Sequence, residues 1–358
     1  MPENLNILAG RAIDARRTPL AETITDLQYR AYPELAERYG EAGRQKCLED
    51  AGYHLAYLAE AVAANNPPLF ADYVAWAKVM LAGRGIPEKD LAANLGFLRD
   101  ALREVLPEEM SGIACAIVET GIAQLPALPS ELPEPSREGS ALPTLADDYL
   151  GALLRGERHI ASALVLDAVK AGTSVEDIYI DVFQRSQHEI GRLWQMNRLS
   201  VAQEHYCTAA TQLIMSQLYP YIFSTAKIGR TMVATCTGGD LHEIGVRMIS
   251  DFFEMAGWDT IYLGANTPTR GIIEMLLERR ADLLAISATM GFHVRGVTEL
   301  IETVRRTPGC EHVRIIVGGY PFNAAPDLWQ QTGADACARS ARESVAIANA
   351  LVEKEPQR

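Results

Sequence analysis

The chain has 358 residues, of which 48% are hydrophobic and 22% are charged. That length and composition predict two or three domains with buried cores. The net charge of −13 argues against binding to nucleic acids or to anionic membrane surfaces, because both need clustered Lys and Arg. No signal peptide is evident, and no apolar run approaches the roughly eighteen residues of a membrane span. The six cysteines are scattered without a CxxC pair. We therefore predict a cytoplasmic protein with reduced thiols and with no nucleic-acid or membrane partner.

The first part of the chain, residues 1–125, carries helical periodicity and few strand signals. The pattern predicts amphipathic helices over 50–64, 69–82 and 89–105, separated by segments that contain Pro and Gly. We expect this part to form an all-helical domain.

Residues 126–143 contain five prolines together with Ser, Glu and Gly, which is typical of an extended linker. The next segment, 144–226, has the apolar spacing of a four-helix bundle. Its helices are predicted over residues 145–154, 158–171, 174–196 and 200–222.

The last segment, residues 227–358, alternates short apolar runs with helical patterns. This alternation predicts a Rossmann-like, doubly wound parallel sheet that follows the bundle. The predicted strands cover residues 231–235, 259–263, 283–287, 313–317 and 335–337.

The loop between the first of these strands and its helix contains Asp240-Leu241-His242 and then Gly245. A loop at the carboxyl end of a parallel strand is a common place for a ligand site. His242 can bind a metal through one ring nitrogen while Asp240 accepts the N–H of the other, which fixes the tautomer. Gly245 lets the helix begin close to a large flat ligand.

This motif resembles the cobalamin-binding domain in which a protein histidine takes the lower axial position on cobalt. The resemblance implies that His242 is that ligand. Ser287 and Thr289 follow the third strand, and Gly318 and Gly319 follow the fourth. In the family, residues at these positions contact the displaced nucleotide tail or give it room. A four-helix bundle that covers the upper face of the corrin also belongs to this arrangement.

In the predicted bundle, Trp194 is followed after nine residues by Glu204 and His205. This spacing resembles light-sensing cobalamin domains, and Val201 matches a further pocket position of that family. The resemblance implies that these residues enclose the 5′-deoxyadenosyl group of adenosylcobalamin, whose cobalt–carbon bond light cleaves. One position departs from the family: Gln195 stands where a histidine captures cobalt after photolysis. The upper ligand of an illuminated state therefore cannot be carried over.

The N-terminal domain resembles haem-free, globin-like sensor modules, and its pairing with a cobalamin domain resembles the photocobilins, which also bind biliverdin. An open-chain tetrapyrrole needs an apolar slot with aromatic walls and cations for its propionates. The same aromatic stripe also fits an ordinary helix core. The candidate bilin-binding residues are Tyr53, His54, Tyr57, Tyr73, Trp76 and Arg84.

Together, these features predict a cobalamin-dependent photoreceptor that is not itself an enzyme. We expect it to bind adenosylcobalamin and biliverdin as chromophores, to form a homo-oligomer whose assembly depends on light, and to act on an unidentified downstream protein. The main alternative is a corrinoid carrier protein for cobalamin-dependent methyl transfer. A mutase subunit and a cobalamin-storage or stress-signalling module are further alternatives.

Overall fold

The computed structural model describes residues 4–135 and 139–353. The chain divides into two compact units, Met1–Leu132 and Pro133–Arg358. The finer boundaries of the sequence prediction, including a separate linker over 126–143, remain predictions.

All of the regular secondary structure in the described residues of the first unit is helical. Gly40 interrupts the third helix with a φ of 61°, a conformation that glycine adopts without strain. A short 3₁₀ turn, Leu125–Ala127, follows the last helix. The sequence predicted three of the helices in this unit and missed the first, second and last. The six helices are α1 (Leu5–Ala15), α2 (Arg17–Ala31), α3 (Glu34–Ala63), α4 (Pro67–Gly83), α5 (Glu88–Val105) and α6 (Glu108–Gln124).

One helical stretch, Glu108–Ala127, is long and apolar enough to cross a membrane by length and composition alone. The sequence prediction overlooked it. It contains α6, whose buried face includes Ala114, Ile117 and Val118. Because α6 contacts α1, α3, α4 and α5, the stretch packs as a core helix of the first unit.

The second unit begins with a helical bundle in which the third predicted helix contains an irregular segment. Residues Ile178–Gln184 form a π-helix, a geometry that is uncommon and often found near functional sites. Ser200 caps the next helix, and Gln203 completes the capping box. The α-helices are α7 (Pro143–Leu154), α8 (Arg158–Lys170), α9 (Val175–Asp177), α10 (Arg185–Gln195), α11 (Val201–Gln217) and α12 (Tyr219–Ile222).

A five-stranded sheet follows, in the order β2-β1-β3-β4-β5, and all of its neighbouring strands are parallel. The strands are β1 (Thr231–Cys236), β2 (Asp259–Gly264), β3 (Leu283–Ser287), β4 (Arg314–Gly318) and β5 (Ala336–Ala338). The connecting helices are α13 (Ile244–Met255), α14 (Thr269–Arg279), α15 (Val294–Arg306), α16 (Tyr320–Ala324), α17 (Leu328–Thr332) and α18 (Ala341–Glu353). The predicted fold class is confirmed.

The strand order reverses direction around β1, which has β2 on one side and β3 on the other. In a sheet of this kind, the loops at the carboxyl ends of the strands open a crevice at such a point. The register pairs Cys236 with Ser287, and Ser287 with Gly318. The loops after β1, β3 and β4 therefore leave the sheet side by side.

Candidate functional site

The loop after β1 is fixed to the loop after β2 by two hydrogen bonds. Gly239 has a φ of 85°, and its N–H donates to Asn266 Oδ1 at 2.9 Å. The N–H of Asn266 donates in turn to the carbonyl of Asp240 at 3.1 Å. These bonds need the left-handed turn that Gly239 provides without steric cost. The loop therefore has a defined shape before any ligand is considered.

Asp240 is fully buried at the centre of this loop. Its Oδ1 accepts the backbone N–H of His242 at 3.0 Å and lies 2.8 Å from Nδ1 of the same residue. Its Oδ2 accepts the N–H of Thr289 at 2.6 Å and lies 3.4 Å from His293 Nδ1. Burial alone would raise the pKa of Asp240, but these donors outweigh it and lower the pKa. Asp240 is therefore an ionised acceptor.

His242 combines an engaged nitrogen with an accessible side chain. Its Nδ1 faces Asp240, while 58% of the side chain is exposed and the adjacent Leu241 is 72% exposed. The hydrogen bond with Asp240 raises the pKa of His242, although burial opposes this, and the charge of Glu204 adds to the rise. With Nδ1–H directed to a carboxylate, the neutral ring offers Nε2 to a metal.

His242 offers one accessible imidazole nitrogen, a donor that fits a corrinoid cobalt. In the part of the chain that the structure describes, no group of three or more His, Cys, Asp or Glu side chains could hold a metal ion.

Glu243 ties the same loop to two other elements and was missed by the sequence reasoning. Its Oε1 accepts Gln212 Nε2 of α11 at 2.7 Å. Its Oε2 accepts the hydroxyl of Tyr262 at 3.0 Å and the N–H of Ala265 at 3.2 Å. No spacing rule in the sequence links these residues, since they lie on three separate elements.

A narrow and mostly apolar cleft runs between the sheet and the flanking helices of the second unit. Its free volume is about 10 Å³, close to that of one water molecule, so a larger group could enter only if the lining side chains moved apart. Its lining includes Val246, Ala285, Ser287, Ile316, Gly318 and Ser344.

The glycine pair after β4 has a structural reason of its own. Gly318 accepts the N–H of Ala288 at 3.1 Å. Gly319 has a φ of 110°, and a Cβ there would lie 2.0 Å from the carbonyl oxygen of Ala288. No other residue type could occupy Gly319 without moving the loop after β3. The resemblance assigned this pair to the nucleotide tail, but the close approach of two backbones already requires Gly319.

The predicted cap residues occupy different environments. Trp194 is partly buried and packs against the core of the bundle. Glu204 accepts the hydroxyl of Thr208 at 2.9 Å and pairs with His205 Nδ1. Val201 is 54% exposed, and the side chain of His205 is 75% exposed. The structure therefore anchors Trp194 and leaves Val201 and His205 largely open to solvent.

The possible bilin residues of the first unit lie on α3 and α4. His54 Nδ1 lies 2.6 Å from the hydroxyl of Tyr73, and both side chains are buried. Tyr57 stacks on Tyr73 with ring centroids 3.9 Å apart. Burial lowers the pKa of His54 to about 4, so its ring is neutral at pH 7. These three rings contact each other as a helix core does.

The remaining members of that set lie further out. Trp76 is partly buried and stacks near Tyr73 at 6.2 Å, while Tyr53 and Arg84 are exposed. Lys78 of α4 is buried and pairs with Glu88 at 2.8 Å. It also donates to two backbone carbonyls at 2.6 Å, so its charge is already used within the fold.

Two family models match the second unit. Both describe a B12 binding domain, and they cover residues 145–219 and 230–348. Residues before 145 lie outside both matches.

Two curated proteins are similar in sequence to this chain. Dimethylamine corrinoid protein 1 of Methanosarcina acetivorans is 26% identical over 58% of this chain and 97% of its own length. Dimethylamine corrinoid protein 3 of Methanosarcina mazei is 30% identical over 38% of this chain and 81% of its own length. Among solved structures, the monomethylamine corrinoid protein of Methanosarcina barkeri superposes with a TM-score of 0.52 at 22% identity. The superposition covers 59% of this chain and 98% of the corrinoid protein, and it supports the fold described above.

These findings correct two predictions. The matching relatives are named corrinoid proteins of methylamine systems, and none of those reported above is named as a light sensor. The prediction of a photoreceptor is therefore wrong, and so is the prediction of a homo-oligomer whose assembly depends on light. The findings favour the alternative of a corrinoid carrier.

Proposed function

Since the chain belongs to the family of B12-binding proteins, we propose that it is a corrinoid carrier that serves partner methyltransferases. The observation that carries this proposal is the pair formed by His242 and the buried Asp240, at 2.8 Å. The names of the relatives make methylated amines the first class of methyl donor to test. A bound corrinoid supplies a cobalt that accepts a methyl group from one partner and yields it to another.

The chain's own residues would hold and orient that corrinoid. His242 would bind the metal through Nε2, and Asp240 would keep the ring in the required tautomer. The cleft along β3 and β4 would receive the nucleotide tail, with the hydroxyl of Ser287 as its polar partner. Glu243 would hold the loop against α11 by accepting the hydrogen bond from Gln212.

The upper side of the site also supports a carrier. Val201 is 54% exposed, and 75% of the side chain of His205 is exposed. A methyl carrier must present its cobalt to two other proteins, so side chains around the upper face have to remain reachable.

The lower ligand can be tested by electron paramagnetic resonance. Protein containing ¹⁵N-histidine is loaded with hydroxocobalamin and reduced to the cobalt(II) state. A histidine ligand should give a doublet splitting from ¹⁵N, whereas the cofactor's own base should give a triplet from ¹⁴N. We expect the doublet in the wild type and its loss in His242→Ala. The control is His312→Ala, since His312 is an exposed histidine elsewhere in the second unit. A triplet in the wild type would contradict the assignment.

Methyl transfer can be tested by mass spectrometry of the extracted corrinoid. The loaded protein is reduced and mixed with methylated amines and with the methyltransferases that serve the relatives. A corrinoid that is heavier by one methyl group, found only with both reagents and with His242 intact, is the expected result. If no pairing of amine and methyltransferase methylates the corrinoid, the carrier function is refuted for this substrate class.

Two finer predictions from the sequence are tested alongside. An adenosyl group as the upper ligand predicts that the corrinoid purified with the protein from cells carries the mass of adenosylcobalamin. Biliverdin binding predicts a far-red absorption band when biliverdin is added to the full-length protein, weakened in Trp76→Ala and unchanged in Trp194→Ala. The packing of Tyr57 on Tyr73 implies that such binding would have to separate these rings.

A further inference from the structure

A tyrosine and a histidine share a short hydrogen bond in the core of the first unit. Tyr73 of α4 and His54 of α3 are both buried, and the Tyr73 hydroxyl lies 2.6 Å from His54 Nδ1. Their rings meet edge to face, with centroids 5.6 Å apart. His54 is the only histidine among residues 1–132. The fold therefore joins one phenol to one imidazole, away from the corrinoid site of the second unit.

The imidazole of this pair is a free base and the phenol keeps its proton. Burial lowers the pKa of His54 to about 4, so the ring is neutral at pH 7. Burial also raises the pKa of Tyr73, and the charge of Asp50 adds to the rise. When the hydrogen of the neutral ring is on Nε2, His54 accepts the O–H of Tyr73 at Nδ1. The base then lies within reach of the proton that it would take up.

Tyr73 also packs on two other side chains that can be oxidised. Tyr57 of α3 stacks on it with centroids 3.9 Å apart and 15° between the rings. Trp76 of α4 lies beside it with centroids 6.2 Å apart and 23° between the rings. Tyr57 and Trp76 are half-buried. These three rings, which we call the aromatic stack, connect the buried phenol to the protein surface.

The buried tyrosines of the second unit have different surroundings. Tyr149 bonds the hydroxyl of Thr211 at 2.8 Å, which is not a base at pH 7. Tyr179 donates to a carboxylate, but both it and Tyr149 pack on the ring of Phe183, which is much harder to oxidise than tyrosine or tryptophan. Tyr73 combines a base at its hydroxyl with oxidisable rings beside it.

We propose that Tyr73 is a redox-active tyrosine whose phenolic proton moves to His54 Nδ1 when the ring loses an electron. The oxidant is a high-potential metal complex that reaches the surface and takes one electron through the aromatic stack. The products are a neutral tyrosyl radical at Tyr73, an imidazolium at His54 and the metal complex reduced by one electron. The proton transfer favours electron loss because a phenol that has lost an electron is a strong acid.

A carboxylate near the pair offsets the positive charge that this step leaves on His54. Asp50 precedes His54 by four residues on α3, so the two are neighbours on the helix surface. Burial raises the pKa of Asp50 to about 6, and the group is therefore mostly ionised at pH 7. The step takes place within the first unit and does not depend on a corrinoid.

The first test is oxidation of the cofactor-free, full-length protein by photogenerated tris(bipyridine)ruthenium(III). Electron paramagnetic resonance of samples frozen at increasing times detects tyrosyl radicals. We expect the wild type to keep a radical after those of exposed tyrosines have decayed. Tyr73→Phe should lose this persistent signal, and the matched control Tyr149→Phe should keep it. A wild type without a persistent radical, or a Tyr73→Phe variant that retains it, refutes the proposal.

The second test asks whether His54 takes the proton or only packs against the ring. His54→Gln keeps an acceptor for the Tyr73 hydroxyl but cannot take up its proton. Radical formation at Tyr73, followed by absorption after a laser flash, should be about 100-fold slower in this variant, as expected when a positioned base is lost. In the wild type it should also be slower in D₂O than in H₂O. Circular dichroism checks that the variant is folded. An unchanged rate in folded His54→Gln would show that His54 has a packing role only, and the proposal would be overturned.

Discussion

The lower and upper sides of the corrinoid site differ in how far the protein itself determines them. On the lower side, Asp240 is fully buried and is held by donors from the loops after β1 and β3. On the upper side, Val201 and His205 are mostly exposed, and Trp194 alone of the predicted cap residues is anchored in a core cluster. The lower side is therefore preformed, whereas the side chains on the upper side are accessible to a partner or ligand.

This difference explains why a sequence resemblance can be informative at one face and misleading at the other. A fixed loop with a buried carboxylate constrains the chemistry of His242, whatever the cofactor's upper group is. The spacing of Trp194, Glu204 and His205 constrains only which side chains border the upper face. The same border can enclose a bulky group or admit a partner protein, so it could not decide between a sensor and a carrier.

The largest expected effect is at Asp240. Asp240→Ala should weaken binding of hydroxocobalamin about 10- to 100-fold, because the lower ligand loses the group that fixes its tautomer. Isothermal titration of the cofactor-free protein measures this. A matched control is Asp335→Ala, which removes a carboxylate bonded to Arg305 and to the N–H of Ile315 at the opposite edge of the sheet. Equal losses in both variants would show that Asp240 matters for the fold alone.

The second prediction concerns a hydrogen bond between the bundle and α13. The hydroxyl of Tyr179, in the π-helix of the bundle, donates to Asp251 of α13 at 2.7 Å. Burial raises the pKa of Asp251 to about 6. Because the folded-state pKa lies above the unfolded value, the favourable contribution of this group is complete below pH 4. It is lost as the pH rises through about 6.

Asp251→Asn should remove this loss of stability with rising pH. We expect the variant to gain roughly 2 kcal/mol in free energy of unfolding relative to the wild type when the pH rises from 4 to 7. Urea unfolding of both proteins at the two pH values measures the change. Tyr179→Phe should shift the wild-type transition to higher pH, because the hydrogen bond from Tyr179 lowers the pKa of Asp251. A pH-independent difference between Asp251→Asn and the wild type would contradict the assignment.

The sequence predicted the sheet closely because parallel strands bury both faces and appear as continuous apolar runs. The first predicted strand, 231–235, is observed as Thr231–Cys236. The bundle was also predicted, except for the π-helix, which alters hydrogen-bond register without changing the apolar period. In the first unit, α1 and α2 were missed because each is joined to the next helix by only one or two residues, which leaves little loop signal in the sequence.

The candidate site was only partly predictable for a related reason. Asp240 and His242 are two residues apart, so their pairing follows from one loop. His293 reaches Asp240 from the loop after β3, 53 residues further along the chain, and Glu243 meets Gln212 of α11. Such contacts depend on strand order and register, which a single sequence shows only coarsely.

The third prediction concerns the cleft beside the preformed loop. Ala285 lies on β3 and lines the cleft. Ala285→Leu should weaken binding of cobalamin about tenfold, equivalent to 1.4 kcal/mol, because the added side chain occupies the space proposed for the nucleotide tail. Cobinamide, which lacks that tail, should bind the variant and the wild type alike and is the internal control. Equal weakening of both ligands would place the tail elsewhere.

The smallest effect on cofactor affinity is expected at the upper side, and it decides most directly between the two interpretations of the cap. Trp194 packs against the bundle core without being fully buried. Trp194→Ala should therefore lower the free energy of unfolding by about 2 kcal/mol, less than for a fully buried aromatic side chain. In a carrier whose upper face is open, the affinities for hydroxocobalamin, methylcobalamin and adenosylcobalamin should all change by the same small factor, about threefold or less. Competition titrations of the three cofactors against one variant preparation measure that factor without depending on how well the variant folds. A selective loss of adenosylcobalamin would mean that Trp194 walls a pocket for the adenosyl group, and the upper side would then be as preformed as the lower one.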